Sequence, residues 1–382
     1  MVKKWLFRLF LFSMGLFVSI VIGLYVCIHW FVRLDIEQVG PLIATPSQTF
    51  QLLTQLSPTT VTTLREIMRI DAPNNANSVV ALTQMANTGS LLAIYEDGVF
   101  RRWDFETQRV ISQFNFISAS QNSVSFSADG SLVVTPGKIL PTGSNGFSVW
   151  NTRTGERIEC WGPHCPGGDP YDARFIDIGL LLDPKRRWII EYSETGGSAI
   201  GLENNPWGGI DIPESKTGAR IKLLTLDKSG GILAYALDND TVHLFETESF
   251  LGVKKSGILK NRVLRYSPTS LPTQIRAFSF DDTRTWLALL NDNELVVWDL
   301  RKYINPRHLQ ISVKDGNVVA FDHTGSILAI GTKKGIMILD FENKVQLAEL
   351  DVQNVTALYF TLDNRLLVCG DADGSIHLWG VK

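Results

Sequence analysis

A cassette that recurs through most of the chain constrains its fold more than any other feature of the sequence. The clearest copy is residues 371–380, where the turn Asp373-Gly374 opens an alternating strand that ends at Trp379. Upstream copies repeat the order strand, turn, strand, tight turn, strand, followed by a weaker fourth strand. The third strands end at Trp103, Trp150, Leu202, Phe245, Trp298, Leu339 and Trp379.

The spacing of these endpoints indicates how many structural units the chain contains. They are 46 residues apart on average, close to the roughly 40–45 residues of a four-stranded propeller blade. The copies predict an all-β protein with seven blades, of which the third is the most degenerate, with a poor fourth strand around Gly209–Ile212. The composition agrees, because 10 Trp and 31 Gly against 4 Cys suit short strands and tight turns better than a disulfide scaffold.

Four of these segments resemble the WD40-repeat family. They are Trp103-Asp104, Trp298-Asp299, the stretch SFSADGSLVV at 125–134 and the stretch DADGSIHLWG at 371–380. The resemblance covers residues 62–382 and implies a seven-bladed β-propeller whose faces bind other proteins. The sequence departs from the family because no Gly-His pair precedes a first strand and several copies lack Trp-Asp. We therefore expect apolar strand faces to supply most of the stability.

Closure of the ring presents a separate problem. Two residues follow Gly380, so the seventh blade would lack a fourth strand of its own, and an unpaired strand edge favours aggregation. Residues 64–70 lie where a fourth strand would precede the first blade. We predict that they pair with residues 374–379 and close the ring.

The amino terminus contains an apolar segment. Residues 9–32 have no charged side chain, and as a helix of about 36 Å they would cross a hydrocarbon core of about 30 Å. A cleaved signal peptide is the alternative, but its apolar region is usually shorter and ends at small residues. We predict an uncleaved signal-anchor, a single-pass transmembrane helix in which Gly15, Ser19 and Gly23 lie on one face, available for helix packing or simply typical of membrane helices.

Basic residues predict the orientation of this helix. Lys3, Lys4 and Arg8 precede the span, which places residues 1–8 in the cytoplasm and the propeller outside it. Residues 33–61 form a linker with a short helix predicted from Ser47 to Leu56. The fourth strand of a blade begins at the face that carries the first-to-second and third-to-fourth strand turns, and the membrane anchor leads directly into such a strand. This face, which includes 185–187 and Arg301-Lys302, should therefore lie toward the bilayer.

The opposite, distal face carries the largest predicted loops, at 136–146, 162–171 and 255–273. Basic and aromatic residues in the last two are candidates for binding a partner protein, although a charged loop is often only solvated. These candidates are Lys255, Lys260, Arg262, Arg265, Tyr266 and Tyr171.

Few residues suggest chemistry. Cys160 and Cys165 could form a disulfide, remain thiols or begin a metal site, but their spacing matches no established zinc or haem pattern. No phosphate-binding loop or nucleophile elbow is present, and we expect no catalytic residue, cofactor, metal or small-molecule substrate. The net charge of −3 gives no basic excess for nucleic acid.

These features predict a membrane-anchored, non-catalytic scaffold that binds other proteins, as a subunit of a membrane-associated complex. The alternative is an extracytoplasmic propeller enzyme, or a sensor with a small ligand in the central channel.

Overall fold

The computed structural model describes residues 52–72, 77–86, 88–105, 107–115, 124–136, 147–161, 179–184, 188–193, 196–201, 219–247, 262–265, 274–302 and 305–382. All of them lie in the compact unit Ala44–Lys382. The predicted membrane segment 9–32 and the packing residues Gly15, Ser19 and Gly23 lie outside the described residues. Within the described part of the chain, no helix is long and apolar enough to span a bilayer.

The described strands form seven antiparallel sheets, numbered here in chain order. Sheet one contains β2 (Val79–Gln84), β3 (Leu91–Tyr95), β4 (Val99–Asp104) and β5 (Arg109–Asn115). Sheet two contains β6 (Ser125–Phe126), β7 (Leu132–Pro136), β8 (Phe147–Asn151) and β9 (Arg157–Trp161). Sheet three contains β10 (Gly179–Leu182), β11 (Trp188–Ser193) and β12 (Gly196–Gly201).

The remaining four sheets have four strands each. Sheet four contains β13 (Ile221–Leu226), β14 (Ile232–Leu237), β15 (Thr241–Glu246) and β16 (Arg262–Arg265). Sheet five contains β17 (Ile275–Phe280), β18 (Trp286–Asn291), β19 (Glu294–Asp299) and β20 (Arg307–Ser312). Sheet six contains β21 (Gly316–Phe321), β22 (Leu328–Thr332), β23 (Ile336–Asp340) and β24 (Val345–Leu350). Sheet seven contains β25 (Val355–Phe360), β26 (Leu366–Asp371), β27 (Ile376–Gly380) and, as its outer strand, β1 (Arg65–Ile70).

The sheets are arranged as the blades of a β-propeller. The first strands contact one another in the order β6, β10, β13, β17, β21, β25 and β2, and so surround the centre. The described residues complete six four-stranded blades instead of the seven predicted. Sheet three has three described strands, and its expected fourth strand near 209–212 lies outside the described residues.

Apolar packing between consecutive sheets forms the core. Residues such as Leu328 and Ile330 of sheet six pack against sheet five, while Val355 and Ala357 of sheet seven pack against sheet six or sheet one. Similar apolar clusters join each of the other consecutive pairs of sheets. Alternation along a strand sends successive side chains to opposite faces, so each sheet contributes to two of these clusters.

A β-bulge recurs near the start of the first strand in five sheets. The register shifts between Val79 and Ala81 in β2, and at the equivalent positions of β13, β17, β21 and β25. A bulge bends a strand and increases its twist. The repeated bulge therefore gives these blades the same local bend beside the channel.

The outer strand of sheet seven comes from the amino-terminal side of the propeller. β1 pairs antiparallel with β27, with Arg65 opposite Gly380 and Ile70 opposite Ile376. This pairing covers the edge of β27 and joins the two ends of the described ring.

Residues 52–64, called the strap below, precede β1 and pack on sheets six and seven. Thr54 forms an isolated bridge with Val381, while Leu56 and Val61 are buried in the cluster between the two sheets. Residues 52–56, the described part of the helix predicted from Ser47 to Leu56, are not helical, because backbone groups of Thr54 and Leu56 bond to the propeller. Residues 47–51 lie outside the described residues. A 3₁₀ turn at Val61–Thr63 follows instead.

Candidate interaction face and channel

The turns between first and second strands share a buried aspartate in sheets four, five and six. These residues are Asp227, Asp281 and Asp322. In each turn the carboxylate accepts a hydrogen bond from a hydroxyl two residues later and from a backbone N–H five residues later. For Asp281 the second donor is the N–H of Trp286, at 2.6 Å. Each aspartate thus fixes the entry of its second strand.

Sheets two and seven use a related turn in which the hydroxyl and the carboxylate exchange positions. The Thr361 hydroxyl donates to Asp363 at 2.7 Å and accepts from the N–H of Leu366 at 3.0 Å. Ser127 and Asp129 make the corresponding contacts in sheet two, where the Ser127–Asp129 distance is also 2.7 Å. Five of the seven sheets therefore present a polar, internally bonded turn on one face.

Residues that follow these aspartates join three neighbouring sheets near the channel. The Lys228 ammonium of sheet four pairs with the Asp282 carboxylate of sheet five. The same carboxylate oxygen lies 2.8 Å from Nδ1 of His323 in sheet six. Nε2 of His323 lies 3.0 Å from the Phe360 carbonyl oxygen in sheet seven. We call Lys228, Asp282 and His323 the rim network.

Electrostatics favour the charged form of the central carboxylate. Burial raises the pKa of Asp282, but the hydrogen bonds and positive charges of His323 and Lys228 outweigh burial and lower its pKa below the ordinary value. The rim network therefore holds an ionised Asp282 at neutral pH.

The strap joins the same face through Asn364, which lies in the first-to-second strand turn of sheet seven. Its side-chain amide donates to the Leu56 carbonyl at 3.0 Å and to Asp322 Oδ2 at 3.0 Å. The N–H of Leu56 in turn donates to the Asn364 carbonyl at 2.8 Å. The face that carries these turns, called the strap face below, is thus the face on which the chain enters the propeller.

The geometry of His323 bears on catalysis. A histidine that acts as a general base needs a ring nitrogen directed at substrate. Both ring nitrogens of His323 contact protein acceptors, Asp282 and the Phe360 carbonyl. The pair His323–Asp282 therefore resembles a structural crosslink between sheets more than a catalytic dyad.

A cavity of about 160 Å³ lies beside the first strands. Its lining includes Leu223, Phe278 and Val318 from three consecutive sheets, together with Tyr192 and Arg276. The Arg276 guanidinium pairs with Asp292, and burial raises the pKa of the Tyr192 phenol. The cavity therefore offers a small molecule both apolar and polar contacts.

The basic turns predicted to face the bilayer are only partly described. Arg301 and Lys302 lie in the third-to-fourth strand turn of sheet five, on the strap face, and both pair with Asp299. The hydrogen bond from Arg301 is the largest effect that lowers the pKa of Asp299. The Asp299 carboxylate therefore partly neutralises both basic side chains of this turn. Residues 185–187 lie outside the described residues.

The predicted partner-binding residues are also largely outside the described part of the chain. The structure places Arg262 and Arg265 at the ends of β16, the outer strand of sheet four, within a segment that was predicted to be a loop. Lys255, Lys260, Tyr266 and Tyr171 lie outside the described residues. Their binding role stays a prediction.

The predicted disulfide is described at one of its two cysteines. Cys160 in β9 is disulfide-bonded, and the Ser148 hydroxyl lies 3.7 Å from its sulfur. Cys165 lies outside the described residues, so its pairing with Cys160 stays a prediction. Cys369 is a buried free thiol, and burial raises its pKa.

The rim network and the aspartate turns were not identified from the sequence, although a signal for the turns exists. The stretches DKSGGI at 227–232, DDTRTW at 281–286 and DHTGSI at 322–327 share Asp, a hydroxyl residue two positions later and an apolar residue five positions later. This shared spacing of Asp, hydroxyl residue and apolar residue is the sequence signal that predicts the turns. The contacts between Lys228, Asp282 and His323 depend on the curvature of the ring, which the sequence does not specify.

Comparison with known proteins agrees with this architecture. The chain is a β-propeller, and it is similar to the crystal structure of the Myceliophteria thermophila Cps50 (Swd1) beta-propeller domain. That match has a TM-score of 0.62 and 15% sequence identity and covers 84% of this chain and 100% of the other. At this identity the similarity concerns the fold.

The repeat family is defined by a second match. Residues 345–380 match the family described as WD domain, G-beta repeat, so this stretch is a WD40 repeat. It spans β24 and most of sheet seven. The search of curated proteins found no match to the chain.

Proposed function

We propose that this chain is a membrane-anchored, seven-bladed WD40-type propeller that acts as a non-catalytic scaffold for other proteins. In this proposal sheet three is the third blade, and its fourth strand comes from residues near 209–212. The anchor is the helix 9–32, with the amino terminus in the cytoplasm and the propeller outside it.

The observation that carries the proposal is the use of the polar groups on the strap face. The buried aspartates bond to their own turns, and the rim network bonds across sheets. These groups stabilise the ring, which leaves the blade faces and loops as the surfaces for recognition. The WD40 repeat at 345–380 supports a protein partner, since propellers of this family bind proteins.

The experiment that tests a scaffold is mild detergent extraction of the full chain followed by affinity purification and native mass measurement. We expect a partner protein at a fixed stoichiometry that survives washing. A matched purification of Asn364→Ala, which alters the strap face, and of Val263→Ser, on the exposed outer strand of sheet four, would indicate which surface the partner uses. A monodisperse monomer without partner would contradict the proposal.

A second candidate function follows from the channel cavity. A cavity of about 160 Å³ beside the first strands has room for a small molecule. We propose a sensor of a small ligand in the central channel as the alternative. Native mass measurement of the monomer should then show a bound small molecule, and Phe278→Ala should weaken its binding while Phe341→Ala, outside the cavity lining, should not.

A further inference from the structure

The closing strand carries a histidine contact that the proposed function does not use. His377 in β27 is almost fully buried, with 8% of its side chain exposed. Its Nδ1 lies 2.7 Å from Glu66 Oε1 in β1, and its Nε2 lies 3.1 Å from Asp371 Oδ2 at the end of β26. The imidazole therefore bridges the closing strand and the interior of sheet seven.

Both hydrogen bonds of His377 can form together only if its imidazole is protonated on both nitrogens. A neutral imidazole has one N–H donor and one acceptor nitrogen, whereas an imidazolium has two donors. Ionised carboxylates only accept hydrogen bonds. A neutral His377 could therefore satisfy Asp371 or Glu66, but the imidazolium satisfies both.

The two carboxylates are held differently. Oδ1 of Asp371 accepts hydrogen bonds from the N–H groups of Asp373 and Ser375, both at 2.9 Å. Glu66 is more exposed, with 38% of its side chain accessible, and has no other hydrogen bond or ion pair among the described residues. Loss of the proton would therefore release Glu66 and leave Asp371 in place.

The other groups around His377 do not replace this proton. In the strand register, Cys369 of β26 and Arg69 of β1 lie opposite His377 on its two sides. Cys369 is a buried thiol, and the Arg69 guanidinium lies 3.0 Å from Asp71. On the side of sheet six, the cluster that contains Cys369 is apolar, with Ile336 and Ile338.

We propose that His377 is a proton-binding site that controls how tightly β1 closes the propeller. With the proton bound, the imidazolium ties Glu66 of β1 to Asp371. Without it, β1 keeps its backbone pairing with β27 but loses this side-chain contact. Closure of the ring is then weaker at higher pH.

The direction of the pKa shift supports the same conclusion. Burial alone would lower the pKa of His377, but the hydrogen bonds and charges of Asp371 and Glu66 outweigh burial and raise it. A raised pKa contributes stability that is present below the ordinary histidine value of about 6.5 and is lost as pH rises through the folded-state value. The pKa of Asp371 is lowered because hydrogen bonds outweigh its burial, so its contribution is lost only in acid.

The test is amide hydrogen exchange of β1 in the full chain, expressed as protection factors between about pH 5.5 and about pH 8.5, a range that brackets the histidine pKa. Protection of residues 65–70 should fall as pH rises. The fall should be about tenfold for each unit by which the folded-state pKa of His377 exceeds its unfolded value.

Two variants separate this contact from general effects of pH. Glu66→Gln should abolish the pH dependence of β1 protection, because the amide can donate to a neutral ring nitrogen. Glu349→Gln, an exposed substitution on the outer strand of sheet six, should retain it. Nitrogen chemical shifts of His377 provide a second measurement and should show both ring nitrogens protonated at about pH 6.5. A neutral His377 at that pH, or equal pH dependence in wild type and Glu66→Gln, would overturn the proposal.

Discussion

Asn364 combines an unusual backbone conformation with contacts to two separate parts of the molecule. Its φ of 56° lies in the left-handed region, which Asn tolerates better than most residues. Its side chain donates to Leu56 in the strap and to Asp322 in sheet six. One residue thus forms the turn of sheet seven and attaches the strap to it.

Replacement of Asn364 by Ala should lower the free energy of unfolding by about 2–4 kcal/mol, since it adds backbone strain and leaves the Leu56 carbonyl and Asp322 without this donor. Asn354→Ala is the matched control. Asn354 has a φ of 52° and is exposed, so its replacement should cost only the strain, about 1 kcal/mol. Denaturant unfolding measures both, and equal losses would show that the side-chain contacts of Asn364 add nothing.

The ionised carboxylate of Asp282 leads to a prediction about the stability of the protein at low pH. Because its folded-state pKa is lowered, it contributes stability above about pH 4, and this contribution is lost as pH falls through the lower folded-state value. Asp282→Asn should therefore cost about 1–2 kcal/mol at pH 7 and progressively less in acid. Thermal melts at several pH values would measure the difference. The control Asp373→Asn, in an exposed turn, should give a small difference that does not change in the same way.

The sequence predicts the positions of some individual residues but not the contacts of others. Endpoints such as Trp103 and Trp298 could be assigned to the ends of third strands because a strand that alternates and stops at a turn leaves a local pattern. The network of Lys228, Asp282 and His323 leaves no such pattern, since its members are 54 and 41 residues apart. Contacts of this kind depend on how neighbouring sheets are placed.

At the scale of elements, the described part of the strap differs from its prediction. The helix predicted from Ser47 to Leu56 would place Phe50, Leu53 and Leu56 on one face. Leu53 and Leu56 are buried, but they lie in a segment that is not helical, and Phe50 lies outside the described residues. Three apolar residues at this spacing cannot distinguish a short helix from an irregular segment that packs on a surface. Backbone hydrogen bonds from Thr54 and Leu56 to the propeller decide the outcome.

The burial of the strap predicts its contribution to stability. Leu56 is 2% exposed, so Leu56→Ala should lower the free energy of unfolding by about 2–4 kcal/mol through lost apolar burial and a cavity. Leu52 is 91% exposed, and Leu52→Ala should change it by less than about 0.5 kcal/mol. Urea unfolding monitored by tryptophan fluorescence provides the comparison. If the two variants unfolded alike, the strap would not be part of the cooperative unit.

The closing strand shows what the sequence could specify at this scale. The sequence predicts that residues 64–70 pair with residues 374–379, because they contain an alternating segment at the required place in the order of strands. The structure pairs Arg65–Ile70 with Ile376–Gly380. The side-chain bridge through His377 was not apparent, because it depends on the register of this pair and on the bulge between Glu66 and Met68.

For the whole molecule, the position of the strap predicts how the propeller would be oriented at a membrane. Lys344, in a third-to-fourth strand turn, lies on the strap face, and Asp373, in a second-to-third strand turn, lies on the opposite face. With the chain in vesicles, a fluorophore on Lys344→Cys should be quenched more strongly by spin-labelled lipid than one on Asp373→Cys. Equal quenching at the two positions would contradict an orientation with the strap face toward the bilayer.

The repeat pattern predicted the architecture of the whole molecule better than it predicted the individual sheets. Six sheets have four described strands, and the degenerate third copy yields three. A propeller tolerates such variation because each sheet needs only an apolar pair of faces and strands of suitable length. The pattern therefore survives where Trp-Asp is lost, as in β23, where Leu339 stands in place of Trp and Asp340 ends the strand.

Ring closure by β1 also determines the order in which the protein can be completed during synthesis. Glu66 and His377 are 311 residues apart, so β1 leaves the ribosome long before the strands of sheet seven exist. β1 must wait, without its partner, while the other sheets form. The propeller can therefore close only after nearly all of its strands have been made, and a ribosome that stalls within sheet seven would release an open ring with an unpaired edge.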